Sequence, residues 1–110
     1  MDSTTFVQVM QEIGTAGLSQ TEVARAVGAS PRTVQTWAAG SNQPRGVRAQ
    51  RLLDVRLMVQ KLGDIYTAEG IRIWLHSRNE HLGLTRPIDR LSQGDVDEVL
   101  REVESLHGGW

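Results

Sequence analysis

LSQTEVARAVGASPRTVQTWAAG, residues 18–40, is the stretch on which the fold turns. Thr21-Glu22-Val23-Ala24-Arg25-Ala26-Val27 reads as a short helix ended by Gly28, since the positive φ of a tight turn is easiest for glycine. After Ala29 a second helix opens, with Ser30 as N-cap and Pro31 at its first position, and Gly40 closes it. Counting from Gln20, the small Ala24 sits where two helices approach closely. Val23, Val27, Ala29, Val34 and Trp37 are the apolar positions between them. Trp37 shares a face with Val34, which assigns its ring to the core and not to a ligand.

Upstream, Phe6, Val9, Met10 and Ile13 fall at i, i+3, i+4 and i+7, so a first helix is expected from about Thr4 to Ala16, stopped by Gly17. Downstream, residues from Arg45 to Leu62 read as a longer helix. Its apolar residues Val47, Ala49, Leu52, Leu53, Val55, Leu57, Met58, Val59 and Leu62 cover more than one stripe. Such a helix is expected to be buried on two sides, one closing the core of residues 18–40 and the other joining a second module or a second copy.

The spacing of residues 18–40 resembles the helix-turn-helix of the Xre/Cro-like repressors. The resemblance implies that the helix opened by Ser30 enters the DNA major groove. Ser30, Arg32, Thr33, Gln35 and Thr36 then face the duplex: Arg32 suits guanine or phosphate, Gln35 suits adenine, and the helix N-terminus suits phosphate. For Ser30 an N-cap role without DNA contact stays open. Arg45 and Arg48, with Arg51, are candidate phosphate grips, and one or two of them can equally serve to solvate a helix. A homodimer would set two recognition helices roughly 34 Å apart, one turn of DNA.

Charge divides the chain in the same place. Residues 1–62 are net +3 and residues 63–110 net −4, so the halves favour partners of opposite sign. Two modules follow as an expectation, 1–62 for DNA binding with its connecting helix and 63–110 for a separate role, with Gly63 and Asp64 at the boundary.

In the acidic half, Thr67 can cap a helix through about Ser77 with Ile71, Trp74 and Leu75 on one face. Pro87 opens a short turn of helix through Leu91, and Gly94 stops it. A last helix from Asp95 to Leu106 sets Val96, Val99, Leu100, Val103 and Leu106 on one face, with Asp97, Glu98, Arg101, Glu102 and Glu104 around it. Trp74-Leu75, Asn79, Leu82-Gly83, Pro87, Leu91, Gly94 and Val99 resemble the toxin-binding domain of the Xre/MbcA/ParS antitoxins. That family joins this domain to an Xre-like N-terminal one, so the likeness runs from about Leu18 to the end. Arg78 stands where the family often has Pro, and Leu84 where it often has a second Gly.

The resemblance implies an antitoxin that binds and silences a RES-domain toxin, one that destroys NAD, and a complex that represses its own promoter. The toxin-binding side would use Trp74, Arg78, Asn79, Leu82, Gly83 and Pro87. The tail His107-Gly108-Gly109-Trp110 would lie over the toxin's NAD pocket, its glycines pliant, Trp110 in an aromatic slot and the terminal carboxylate against phosphate-binding cations. A frayed end is the other reading of that tail.

Other chemistry finds little support. With no cysteine and no apolar run long enough to anchor or span a membrane, the chain reads as one cytoplasmic unit without disulfides. At 110 residues it buries only about two-thirds of its unfolded surface, which favours completion by a partner. His76, His81 and His107 lack metal-ligand spacing, so no metal is expected. Asp95, Asp97 and Glu98 sit where a helix N-terminus favours acids. No nucleophile–base pair or phosphate-cradling loop occurs, so neither an enzyme nor a cofactor is implied. The rival reading is a stand-alone helix-turn-helix repressor whose C-terminal module dimerises or senses a small ligand. The fold class in either case is all-α: an Xre/Cro-like bundle followed by a small helical module.

Overall fold

The computed structural model describes residues 5–108. They form α1 (Phe6–Thr15), α2 (Gln20–Val27), α3 (Pro31–Ala39), α4 (Gly46–Gly63), α5 (Ala68–Leu75), a 3-10 turn at Glu80–Leu82, α6 (Pro87–Ser92) and α7 (Val96–Gly108), with no strand among them. The all-helical class is thus as expected. His107 and Gly108 close α7, but their surroundings are not described, and Gly109 and Trp110 lie outside the described residues.

Local chemistry sets the helix ends. Thr5 caps α1 through a reciprocal pair with Gln8, and Ser19 caps α2 in the same way with Glu22, whose carboxylate accepts the Ser19 amide at 2.8 Å. Each such box satisfies two backbone donors that a helix start leaves unpaired. Gly28 ends α2 at φ +79 and Gly40 ends α3, while Ser30 and Pro31 open α3 as cap and first residue.

The apolar faces then choose the packing. Val9, Met10 and Ile13 of α1 are buried against α3 and α4, and Val23, Ala24, Ala26 and Val27 of α2 against α3 and α4. Trp37 is only 1% exposed, a core residue as its spacing requires. The long α4 carries Leu52, Val55, Met58, Val59 and Leu62 inside, where it meets α1, α2, α5 and α7. These five residues form one stripe, and Val47 and Leu57, counted with them in the sequence, remain exposed. Each fully buried side chain of this kind is worth roughly 1.5–3 kcal/mol.

Gly63 ends α4, yet the core runs past it. Val96, Val99 and Val103 of α7 join the α4 face, α5 adds Ile71 and Leu75, and α6 packs Ile88 and Leu91, its neighbours including α2. The radius of gyration, 13.4 Å, is close to the roughly 13 Å of a chain of this size with one core. Leu106, expected on the buried face of α7, is 37% exposed. Glu102, expected on the solvated face, is buried instead, because it lies under the 3-10 turn that crosses α7.

Candidate functional site

Two surfaces gather the residues singled out by the sequence. On the first, the N-terminal turn of α3 is held by hydroxyls. Ser30 Oγ accepts the Thr33 amide at 3.1 Å and donates to Thr33 Oγ1 at 3.0 Å, while Thr36 Oγ1 donates to the Thr33 carbonyl at 2.6 Å. Ser30 is thus an N-cap in fact, and Thr33 and Thr36 are half-buried. Arg32 and Gln35 are exposed, and neither has an intramolecular partner among the described residues. These two side chains are the ones free to reach outward from α3.

Arg45 and Arg48 lie at the start of α4. With Thr33, Asn42 and Gln43 they line an open crevice of about 380 Å³ between α3 and the start of α4. Among the described residues no side chain caps the α4 N-terminus. Arg48 also braces the fold, since its Nε donates to the Gly28 carbonyl at 3.2 Å and ties α4 to the turn between α2 and α3. Asn42 and Gln43 were not picked out from the sequence, although three polar residues between Gly40 and Pro44 are a loop signal. They are placed on this surface by the chain reversal before α4.

On the second surface, α5, the 3-10 turn and α7 enclose an open groove of about 380 Å³ lined by Trp74, Arg78, Asn79, His81, Glu102 and Leu106 among others. Of the expected partner-facing residues, half-buried Trp74, exposed Arg78 and half-buried Asn79 meet here. Leu82 and Pro87 point inward and are buried, so their contribution is to the shape of the loop. Gly83 ends the 3-10 turn at φ +68. The segment closes on itself: Asn79 pairs with Thr85 in an isolated antiparallel bridge, Asn79 Oδ1 accepts the His81 amide at 2.9 Å, and Thr85 Oγ1 donates to the Leu82 carbonyl at 2.6 Å.

His81 and Glu102 are the residues that sequence reasoning missed here. Their 2.8 Å contact joins the turn to α7 over a separation of 21 residues, which no local pattern signals. The hydrogen bond and the attraction of the Glu102 carboxylate raise the His81 pKa above its ordinary 6.5, against a smaller opposing effect of desolvation. Below the groove, Arg86 grips Asp89 with two hydrogen bonds of 2.8 Å, which lowers the Asp89 pKa. Arg90 is paired with Glu98, fastening α6 to α7. Among the described residues no three His, Asp or Glu side chains gather as a metal site would require.

No family model matches this chain. Curated relatives do. The chain is 30% identical over 93 residues to the mycobacterial cidal antitoxin MbcA of Mycobacterium tuberculosis and of Mycobacterium bovis, covering 84% of this chain and 82% of theirs. It belongs to the MbcA antitoxin family. A probable mycobacterial cidal antitoxin of M. tuberculosis, a second relative, is 31% identical over 102 residues, 93% of this chain and 87% of that one. Among solved structures, the crystal structure of the M. tuberculosis MbcT–MbcA toxin–antitoxin complex contains a chain that matches with a TM-score of 0.73 at 30% identity, covering 92% of this chain and 91% of that one. The MbcA likeness therefore spans most of the chain, and the relatives are antitoxins by name.

Proposed function

We propose that this chain is the antitoxin of a RES-type toxin that consumes NAD, that it silences the toxin by covering its active site, and that it represses its own operon through α3. The observation that carries the reading is the fold match over 92% of the chain to the antitoxin of a toxin–antitoxin complex. The RES identity of the toxin rests on the Trp74 to Val99 pattern, and the groove beside that pattern offers an aromatic ring, a cation and polar loop groups to a protein partner.

The two surfaces divide the work. Arg32 and Gln35 read bases; Ser30, Thr33 and Thr36 hold the recognition helix in shape; Arg45 and Arg48 take phosphates. Trp74, Arg78, Asn79 and Gly83 face the toxin, Leu82 and Pro87 set the loop, and His107 to Trp110 extend over the toxin's NAD site. A homodimer presents two copies of α3 to an operator, and the whole acts in the cytoplasm.

The test is co-expression with a RES-domain toxin from the same genome. A stable complex and relief of toxicity are expected, and Arg32→Ala with Gln35→Ala should leave both intact while operator binding is lost. Absence of complex and of rescue would reject the antitoxin reading. Simultaneous loss of both activities in the double variant would reject the division of surfaces.

A further inference from the structure

Leu84 is the one non-glycine residue with positive φ among the described residues, at +64. Cβ crowding makes this left-handed conformation unfavourable for leucine, whereas Gly83 beside it adopts φ +68 without that penalty. The backbone on either side leaves it no relief. Leu84 donates its amide to the Asn79 carbonyl at 2.8 Å, and Arg78 Nη1 donates to the Leu84 carbonyl at 3.3 Å. Asn79 and Thr85 are paired across the loop, and buried Leu82 anchors it from below. Such over-determined strain persists where the surroundings hold it, and it collects at binding sites.

Burial does not compensate the strain within the chain. Leu84 is 58% exposed and does not pack on the core. A glycine here would relieve the backbone and remove an apolar side chain from water, so the leucine has no intramolecular justification. It stands at the tip of the loop whose other residues, Arg78 and Asn79, line the groove beside Trp74.

We propose that Leu84 is an anchor for the toxin: an apolar side chain held outward by a strained, rigid loop so that it enters a hydrophobic pocket of that partner. This rests on the antitoxin reading, and it adds the residue on which the fit depends. The occupant is the toxin and not a second copy, because the loop is continuous with the groove already assigned to that partner and the matched solved chain is an antitoxin held by its toxin. Pre-ordering the loop lets the side chain bind without a further ordering cost.

Leu84→Gly and Leu84→Ala separate this from a role in folding. Urea unfolding of the purified chain should show a higher midpoint for Leu84→Gly, which relieves the backbone, and little change for Leu84→Ala, which keeps the strain. Titration calorimetry with a RES-domain toxin that the wild-type chain is tested against in parallel should show both variants binding roughly tenfold or more weakly than the wild type. Wild-type affinity in Leu84→Gly would overturn the anchor while leaving the antitoxin reading intact. Loss of self-association with toxin affinity unchanged would seat a second copy there and overturn it equally. If the wild-type chain itself does not bind that protein, the antitoxin reading falls and the anchor with it.

Discussion

Gly28 shows how one residue carries two constraints. Its φ of +79 ends α2, and its carbonyl receives Arg48 from α4. An added Cβ would meet Arg51 Nη1 at 3.5 Å, an ordinary contact, so the cost of Gly28→Ala lies in the backbone and should be about 1–2 kcal/mol. Urea denaturation measures it; an unmoved midpoint would contradict the account of the turn. His81 gives the pH dependence. Because Glu102 raises its folded pKa above 6.5, the pair stabilises fully below the unfolded value and its contribution is lost as pH rises through the folded one. Asp89 acts with the opposite sign: its folded pKa is lowered by Arg86, so that contribution is present above the unfolded value and is lost as pH falls through the folded one. Comparing unfolding midpoints at about pH 5.5 and about pH 8, the wild type should lose more than His81→Gln on going to the higher pH; equal losses would mean that the pair does not matter.

At the scale of elements, the readable features were those that depend on near neighbours. Ser30-Pro31, Gly28 and Gly40 mark their helix ends because caps act within three or four residues. The same logic was available for Ser19 and Glu22, whose spacing is that of a capping box, and for Thr5 and Gln8. The Arg48 bond to Gly28, the pairing of His81 with Glu102 and the φ of Leu84 are set by contacts across the fold or by loop closure, which periodicity does not encode. Exposed helix faces permit a clean prediction. Among the described residues Arg32 and Gln35 have no partner to lose, so Arg32→Ala with Gln35→Ala should change stability by no more than about 0.5 kcal/mol. Operator affinity should fall by about 1–3 kcal/mol for each base contact removed, measured by fluorescence anisotropy at fixed salt. Unchanged affinity would remove α3 from the DNA surface.

For the whole molecule, the change of charge sign after Gly63 is a property of surfaces and does not report which apolar faces meet. The core of α1 to α4 continues through α5, α6 and α7, so the basic and acidic stretches share one buried apolar cluster. Leu91 tests that continuity from the acidic half. It is fully buried, and Leu91→Ala should cost about 2–5 kcal/mol. The loss should appear as one cooperative transition, the same by circular dichroism and by tryptophan fluorescence, since Trp37 lies in α3 and Trp74 in α5. Two separated transitions would show independent folding of the halves.

The central claim is that this body silences an NAD-consuming toxin. Its most direct test is cellular NAD after induction of a RES-domain toxin from the same genome, with and without this chain present at matched levels. NAD should collapse with the toxin alone and stay near its uninduced level when the chain is co-expressed; an equal collapse in both cultures would contradict the account.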